Sequence, residues 1–309
     1  MEGAPTNRRF ASLPARLSLS GRGIVILIPY LWLLLFFLAP FLIVLKISFS
    51  EVLIAMPPYA PLVSWVEDTY LQITLNFENY LLLWEDDLYW YSYLNSIRIA
   101  GIATFLTLLI GYPIAYAMAR APRQWRLALV MLIILPFWTS FLIRVYAWIG
   151  ILKQEGLLNL WLLKLGLIGE PLTILYTDTA VYIGIIYSYL PFMVLPLYAS
   201  LEKLDGTLLE AALDLGCRPI KAFWLITLPL SLPGIIAGCF LVFIPALGEF
   251  IIPDLLGGSD TLMIGRTLWS EFFNNRDWPL SSAVAVILLL ILVVPIVVFQ
   301  RLQEQRATP

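Results

Sequence analysis

Six apolar runs alternate with polar stretches along this chain. They are Ile24 to Leu45, Ile99 to Ala119, Leu127 to Gly150, Ala180 to Ala199, Leu232 to Ile252 and Leu280 to Phe299. Each is close to the roughly 20 residues that a helix needs to cross the hydrocarbon core of a bilayer. The pattern predicts an all-α membrane protein with six transmembrane helices. A cleaved leader is the rival reading of the first run, but the apolar core of a leader is only about 7–15 residues long. This run is longer and continues as APFLIVLKISF, so an uncleaved span is expected.

The polar stretches set the expected orientation, because Lys and Arg gather on the cytoplasmic side of a membrane. The head carries Arg8, Arg9, Arg16 and Arg22; the loop RAPRQWR carries Arg120, Arg123 and Arg126. Lys203, Arg218 and Lys221 lie between the fourth and fifth runs, and Arg301 and Arg306 lie in the tail. These twelve share one side if there are six spans with both termini cytoplasmic. Lys46, Lys153, Lys164, Arg266 and Arg276 are left for the other side. The expected organisation is a cytoplasmic head (1–23), a six-helix domain (24–299) and a cytoplasmic tail (300–309). Within the domain an outer loop (46–95) and an inner loop (200–231) stand out. The outer loop holds seven acids and a single base, Lys46.

Composition then removes whole classes of chemistry. The chain is 61% hydrophobic and 13% charged, against about 25% charged in a soluble domain, so the lipid bilayer is its expected solvent. It has no histidine, and with it go the commonest metal ligand and general base. Cys217 and Cys239 stand alone, without a CxxC spacing, so no metal site is expected. No GxxxxGK[ST] cradle for ATP is present, and no span holds a Ser–Lys pair or two acids. No catalytic residue, resident cofactor or nucleic-acid partner is expected.

The inner loop is richer than a connection requires. Asp205-Gly206 is a turn signal, and Thr207 with Glu210 reads as a capping box that opens a helix. Gly216 suits a left-handed C-cap, and Pro219 suits the first turn of a second helix, Ile220 to Thr227. Pro229 is expected to stop that helix before the fifth span. The result is a helix-turn-helix elbow whose small residues, Ala211 and Ala212, sit beside the Glu210 charge. Such a knob fits a partner's groove; the plain alternative is an ordered loop between two spans.

Here EAALDLGCRPIKAFWLITLP, Glu210 to Pro229, resembles the coupling-loop signature of binding-protein-dependent ABC importer permeases. Four further segments are similar to the putrescine/spermidine permeases, and most of all to the first membrane subunit of putrescine systems. They are LPFWTSFLIRVYAWIGIL (Leu135 to Leu152), YSYLPFMVLPLY (Tyr187 to Tyr198), FIPALGEFIIPDLLGG (Phe243 to Gly258) and GRTLWSEFFNNRDWPLSSAVAV (Gly265 to Val286). The resemblance implies a type I ABC importer permease (MetI-like) fold in a bacterial inner membrane. It implies that Glu210, Ala211, Ala212 and Gly216 couple to a separate ATPase dimer, which binds the ATP and Mg. It further implies a second related permease in a heterodimer and a periplasmic polyamine-binding protein. The ALGEF-like segment also occurs, in varied form, in iron and sulfate relatives, so the cargo rests on the whole set of segments. An importer of another small ligand is the alternative; a stand-alone secondary transporter is a third reading, against which the elbow speaks.

A polyamine needs carboxylates and aromatic faces along its route, each cation–π contact contributing about 0.5–2 kcal/mol. Glu249 falls in the fifth run, where an ionisable group costs on the order of 2.5–3.5 kcal/mol on insertion scales. It either lies on the cation's route or pairs with Arg144 of the third run. Both are 17 residues from the inner end of their runs, about 25 Å up a straight helix. Trp138, Tyr146, Trp148, Tyr187 and Tyr189 are candidate path aromatics, or members of an interfacial belt. Asp254, Glu271 and Asp277 read as loop charge that could also meet substrate or a binding protein.

Overall fold

The computed structural model describes residues 21–66 and 70–307. The expected basic head therefore lies outside the described residues up to position 20, as do the last two residues of the tail. The helices α1 (Gly21–Leu33) and α2 (Ala39–Ser48) are joined by a π-turn, Leu34–Leu38, into one rod. Its residues Val25–Ser48 are long and apolar enough to cross a membrane. Trp32, Phe36 and Phe37 on it are all exposed. A helix that is apolar all round belongs in lipid or under another subunit.

The outer loop is partly ordered by an antiparallel hairpin, β1 (Val63–Val66) with β2 (Tyr70–Ile73), a local addition to an otherwise helical fold. Then come α3 (Glu78–Glu85) and α4 (Asp87–Arg120). Asp86 caps α4 by accepting the Leu88 N–H at 2.9 Å. This cap starts the helix twelve residues before the expected Ile99, so residues 87–95 are helix and not loop. At 34 residues α4 is about 50 Å long, more than a hydrocarbon core about 30 Å thick requires.

The third expected span is not a straight helix. Helix α5 (Arg123–Ile134) runs through a 3₁₀ turn, Leu135–Trp138, and breaks; α6 (Phe141–Leu152) and α7 (Leu157–Lys164) follow. The two arms meet at 88°. Pro136 supplies the reason, since it donates no hydrogen bond and Thr139 is left extended at the break. Helix α8 (Asp178–Glu202) is continuous despite Pro191 and Pro196. After the inner elbow, α12 (Leu232–Leu247), α13 (Ile251–Leu256), α14 (Ile264–Trp269) and α15 (Trp278–Ala307) complete the chain. The fifth expected span thus ends at Leu247, five residues early.

Among the described residues three helices pass as spans by length and composition, and up to five crossings result if each bent pair counts as one. The apolar stretch of α15, Trp278–Val294, is shorter, so these criteria do not confirm a count of six. Helices α4, α8 and α12 pack on one another around Ile99, Ala103, Ile185, Met193, Leu197 and Val242. Close approach rests on small residues: a Cβ on Gly238 would lie 2.7 Å from the Met193 sulfur. Helix α15 packs against α2, α3 and α14 on the flank of this trio.

Candidate functional site

The inner elbow is built from α9 (Gly206–Asp214), α10 (Pro219–Ala222) and α11 (Leu228–Leu230), the last two joined by a π-turn, Phe223–Thr227. The cap differs from the expected box. Asp205, not Thr207, is the N-cap, and its carboxylate accepts the Thr207 N–H at 3.0 Å. That bond holds the Asp205 carboxyl below the usual carboxylate range. At the other end Gly216 has φ +78°, the left-handed region a C-cap needs. Cys217 N–H reaches Ala212 C=O and Gly216 N–H reaches Leu213 C=O, both at 2.9 Å. These two bonds form a Schellman motif. Pro219 opens α10 as expected. Pro229 does not stop the helix, because the wide π-turn before it leaves its ring room; the chain turns at Ser231 instead, by 64°. Glu210, Ala211 and Gly216 are exposed and Ala212 is half-buried. Leu215 beside them is 88% exposed, an apolar tip left uncovered by the described residues.

Glu249 lies at the break between α12 and α13, not inside a helix. It is buried. One carboxylate oxygen accepts the N–H groups of Phe250 at 3.2 Å, Ile251 at 3.0 Å and Ile252 at 3.4 Å. The other accepts the Tyr189 hydroxyl in a short hydrogen bond. These donors give the buried side chain the hydrogen-bond partners that a polar group needs here. Gly265 completes it: a Cβ there would sit 2.6 Å from the Glu249 carbonyl oxygen, so only glycine lets α14 seat against the break.

Arg144 does not pair with Glu249. The equal-height argument fails because α6 restarts after the 88° bend. Arg144 instead lies over two rings, 5.4 Å from the centroid of Phe137 and 5.6 Å from that of Phe141. Its Nε and Nη1 are buried and make no hydrogen bond. A string of rings separates the two charges. Phe137 meets Phe192 at 5.2 Å, and Phe192 meets Tyr189 at 6.1 Å. Of the other expected aromatics, Trp148 and Tyr187 meet edge-on at 5.4 Å. Trp138 and Tyr146 are 76% and 59% exposed, apart from that pair.

A second string of rings was not anticipated. Phe250, next to Glu249, stacks on Trp269 at 4.4 Å with planes 11° apart. Trp269 meets Phe273 at 4.0 Å, Phe273 meets Phe272 at 4.8 Å, and Phe272 stacks on Trp278 at 5.0 Å. Tyr59 of the outer loop follows at 6.2 Å. A π-turn, Ser270–Asn274, carries the middle of this ladder. The aromatic density of WSEFFNNRDW was visible in the sequence, but the turn that lines the rings up was not. Glu271 accepts the Tyr89 hydroxyl at 3.1 Å, and Asp277 accepts the Leu280 N–H at 2.9 Å. Burial pushes the Asp277 carboxyl up; the Leu280 N–H opposes this and the Glu271 charge adds to it. Asp254 is tied to Arg266 at 3.2 Å.

Residues 109–309 match the family described as "Binding-protein-dependent transport system inner membrane component". The chain belongs to that family. Among its relatives is the spermidine/putrescine transport system permease protein PotB of Haemophilus influenzae. The two are 42% identical over 278 residues, which cover 90% of this chain and 92% of the relative. PotB of Escherichia coli K12 is 41% identical over 270 residues, covering 87% and 93%. A solved bacterial alginate ABC transporter, in complex with an alginate pentasaccharide-bound periplasmic protein, shares the fold. There the TM-score is 0.67 at 17% identity, over 92% of this chain and 94% of that one. The permease assignment covers the elbow, the Glu249 break and the second ring string down to Trp278, all within the matched region. Only Tyr59, at the outer end of the ladder, lies before it.

Proposed function

We propose that this permease is one of two membrane subunits of an ATP-driven polyamine importer for putrescine or spermidine. Identity of 41–42% over about nine-tenths of the chain to two spermidine/putrescine permeases carries the reading. Six crossings with both termini cytoplasmic follow from the distribution of Lys and Arg. The elbow, with Glu210, Ala211, Ala212 and Gly216 at its tip, docks on a separate ATPase dimer that binds ATP and Mg. A second related permease forms the other half of the path, and a periplasmic polyamine-binding protein delivers the cargo. The chain itself performs no chemistry.

The ring ladder suits such a cargo. Ammonium groups bind over aromatic faces, and this ladder has Glu271 on its middle turn, Asp277 next to Trp278 and the Glu249 break next to Phe250. The test is uptake of labelled putrescine and spermidine by proteoliposomes holding both permeases, the ATPase and the binding protein. Saturable, ATP-dependent uptake of either amine is expected, and Glu210→Arg is expected to abolish it while the complex still assembles. An assembled complex that hydrolyses ATP and takes up neither amine defeats the polyamine reading and leaves an importer of another small ligand.

A further inference from the structure

We propose that Arg144 is the docking contact for a carboxylate on the second permease of the complex. The inference rests on the two-permease reading above. It begins with a charge that no described residue of its own chain compensates. The three ion pairs among the described residues are Arg98–Asp178, Arg126–Glu202 and Arg266–Asp254. Arg144 is in none of them. Nε and Nη1 are shielded and make no hydrogen bond, so Nη2 is the guanidinium nitrogen left to meet an outside group. The rings of Phe137 and Phe141 lie against the cation and hold it in place.

Shielded guanidinium nitrogens without a partner are unfavourable, and in a membrane-embedded segment charged residues pair with one another or face a bundle interior. A polyamine cannot be the partner, since it carries the same sign of charge. A carboxylate answers it, and a planar guanidinium is the side chain best shaped to receive one. The surroundings favour a protein as its bearer. The same broken span also presents Trp138 at 76%, Ile143 at 66% and Tyr146 at 59% exposure. Exposed aromatics and an arginine on one segment match the composition of an interface core. The contact would also report inward, because the ring string Phe137–Phe192–Tyr189 ends on Glu249.

The experiment uses the whole complex, both permeases with the ATPase, in nanodiscs of zwitterionic lipid alone or with added phosphatidylglycerol. The wild-type chain must first retain the second permease on purification; if it does not, the two-permease reading fails before this one is reached. Given that, Arg144→Gln is expected to lower retention about tenfold or more. Arg144→Glu is expected to abolish it, and reversal of one membrane-embedded acid of the second permease to Arg is expected to restore it. Ile143→Cys, which leaves the charge alone, is expected to cross-link to the second permease. Wild-type retention and uptake by Arg144→Gln would overturn the proposal. So would a defect cured by phosphatidylglycerol and by no acid reversal, which assigns the counter-charge to lipid, and so would the absence of any cross-link from Ile143→Cys.

Discussion

Glu249 gathers four hydrogen-bond donors: three backbone N–H groups and the Tyr189 hydroxyl. The sequence marks this residue only as an acid inside an apolar run. The structure makes it the cap of a helix break, and the two roles separate by mutation. Glu249→Ala leaves buried donors without an acceptor, each costing about 1–3 kcal/mol. A lowered melting temperature of the purified complex is expected. Glu249→Gln keeps an acceptor oxygen, and a smaller loss is expected. If both variants melt like the wild type yet fail to transport, the carboxylate serves the cargo and not the break. Tyr189→Phe isolates the fourth donor and is expected to destabilise less than Glu249→Ala, because only one bond is lost.

At the scale of elements the elbow is the clearest case. Its two ends are fixed by separate devices, the Asp205 cap and the Gly216 turn. Gly216→Ala puts a Cβ into a left-handed conformation at about 1–2 kcal/mol. Faster amide exchange over Gly206–Asp214, with ATP hydrolysis less tightly tied to uptake, is the expected result; unchanged exchange would show that the turn does not hold the elbow. The Asp205 carboxyl is depressed in the folded state, so its contribution is present above the unfolded value and is lost as pH falls through the folded one. Exchange in the elbow is therefore expected to stay constant across neutral pH and to quicken only below the usual carboxylate range. Asp205→Asn is expected to remove the acid-triggered step while keeping the cap, since Asn also accepts at this position.

Across the whole molecule, the ring ladder joins elements far apart in sequence: the outer loop through Tyr59, the helix break through Phe250, and the α14–α15 connection through Trp269 to Trp278. If it carries the cargo, Trp269→Ala is expected to raise KM for polyamine uptake about two- to thirty-fold, the equivalent of one cation–π contact. Trp269→Phe is expected to recover most of this, with the melting temperature unmoved; a fall in melting temperature at constant KM would make the ladder a packing device alone. The sequence by itself determined the solvent, most of the apolar segments, the elbow with its Gly216 and Pro219, and the family, because these depend on local pattern and on residues close along the chain. Only the tertiary structure decided where helices break, because Pro136 interrupts α5–α6 while Pro191, Pro196 and Pro229 are carried within helices, and packing and π-turns make that difference. It also decided that Arg144 and Glu249 stay apart. Equal heights on straight helices would have brought them level, but an 88° bend and three intervening rings hold them apart. Which charges meet is set by the directions of whole elements, and those directions are not written in the residues that carry the charges.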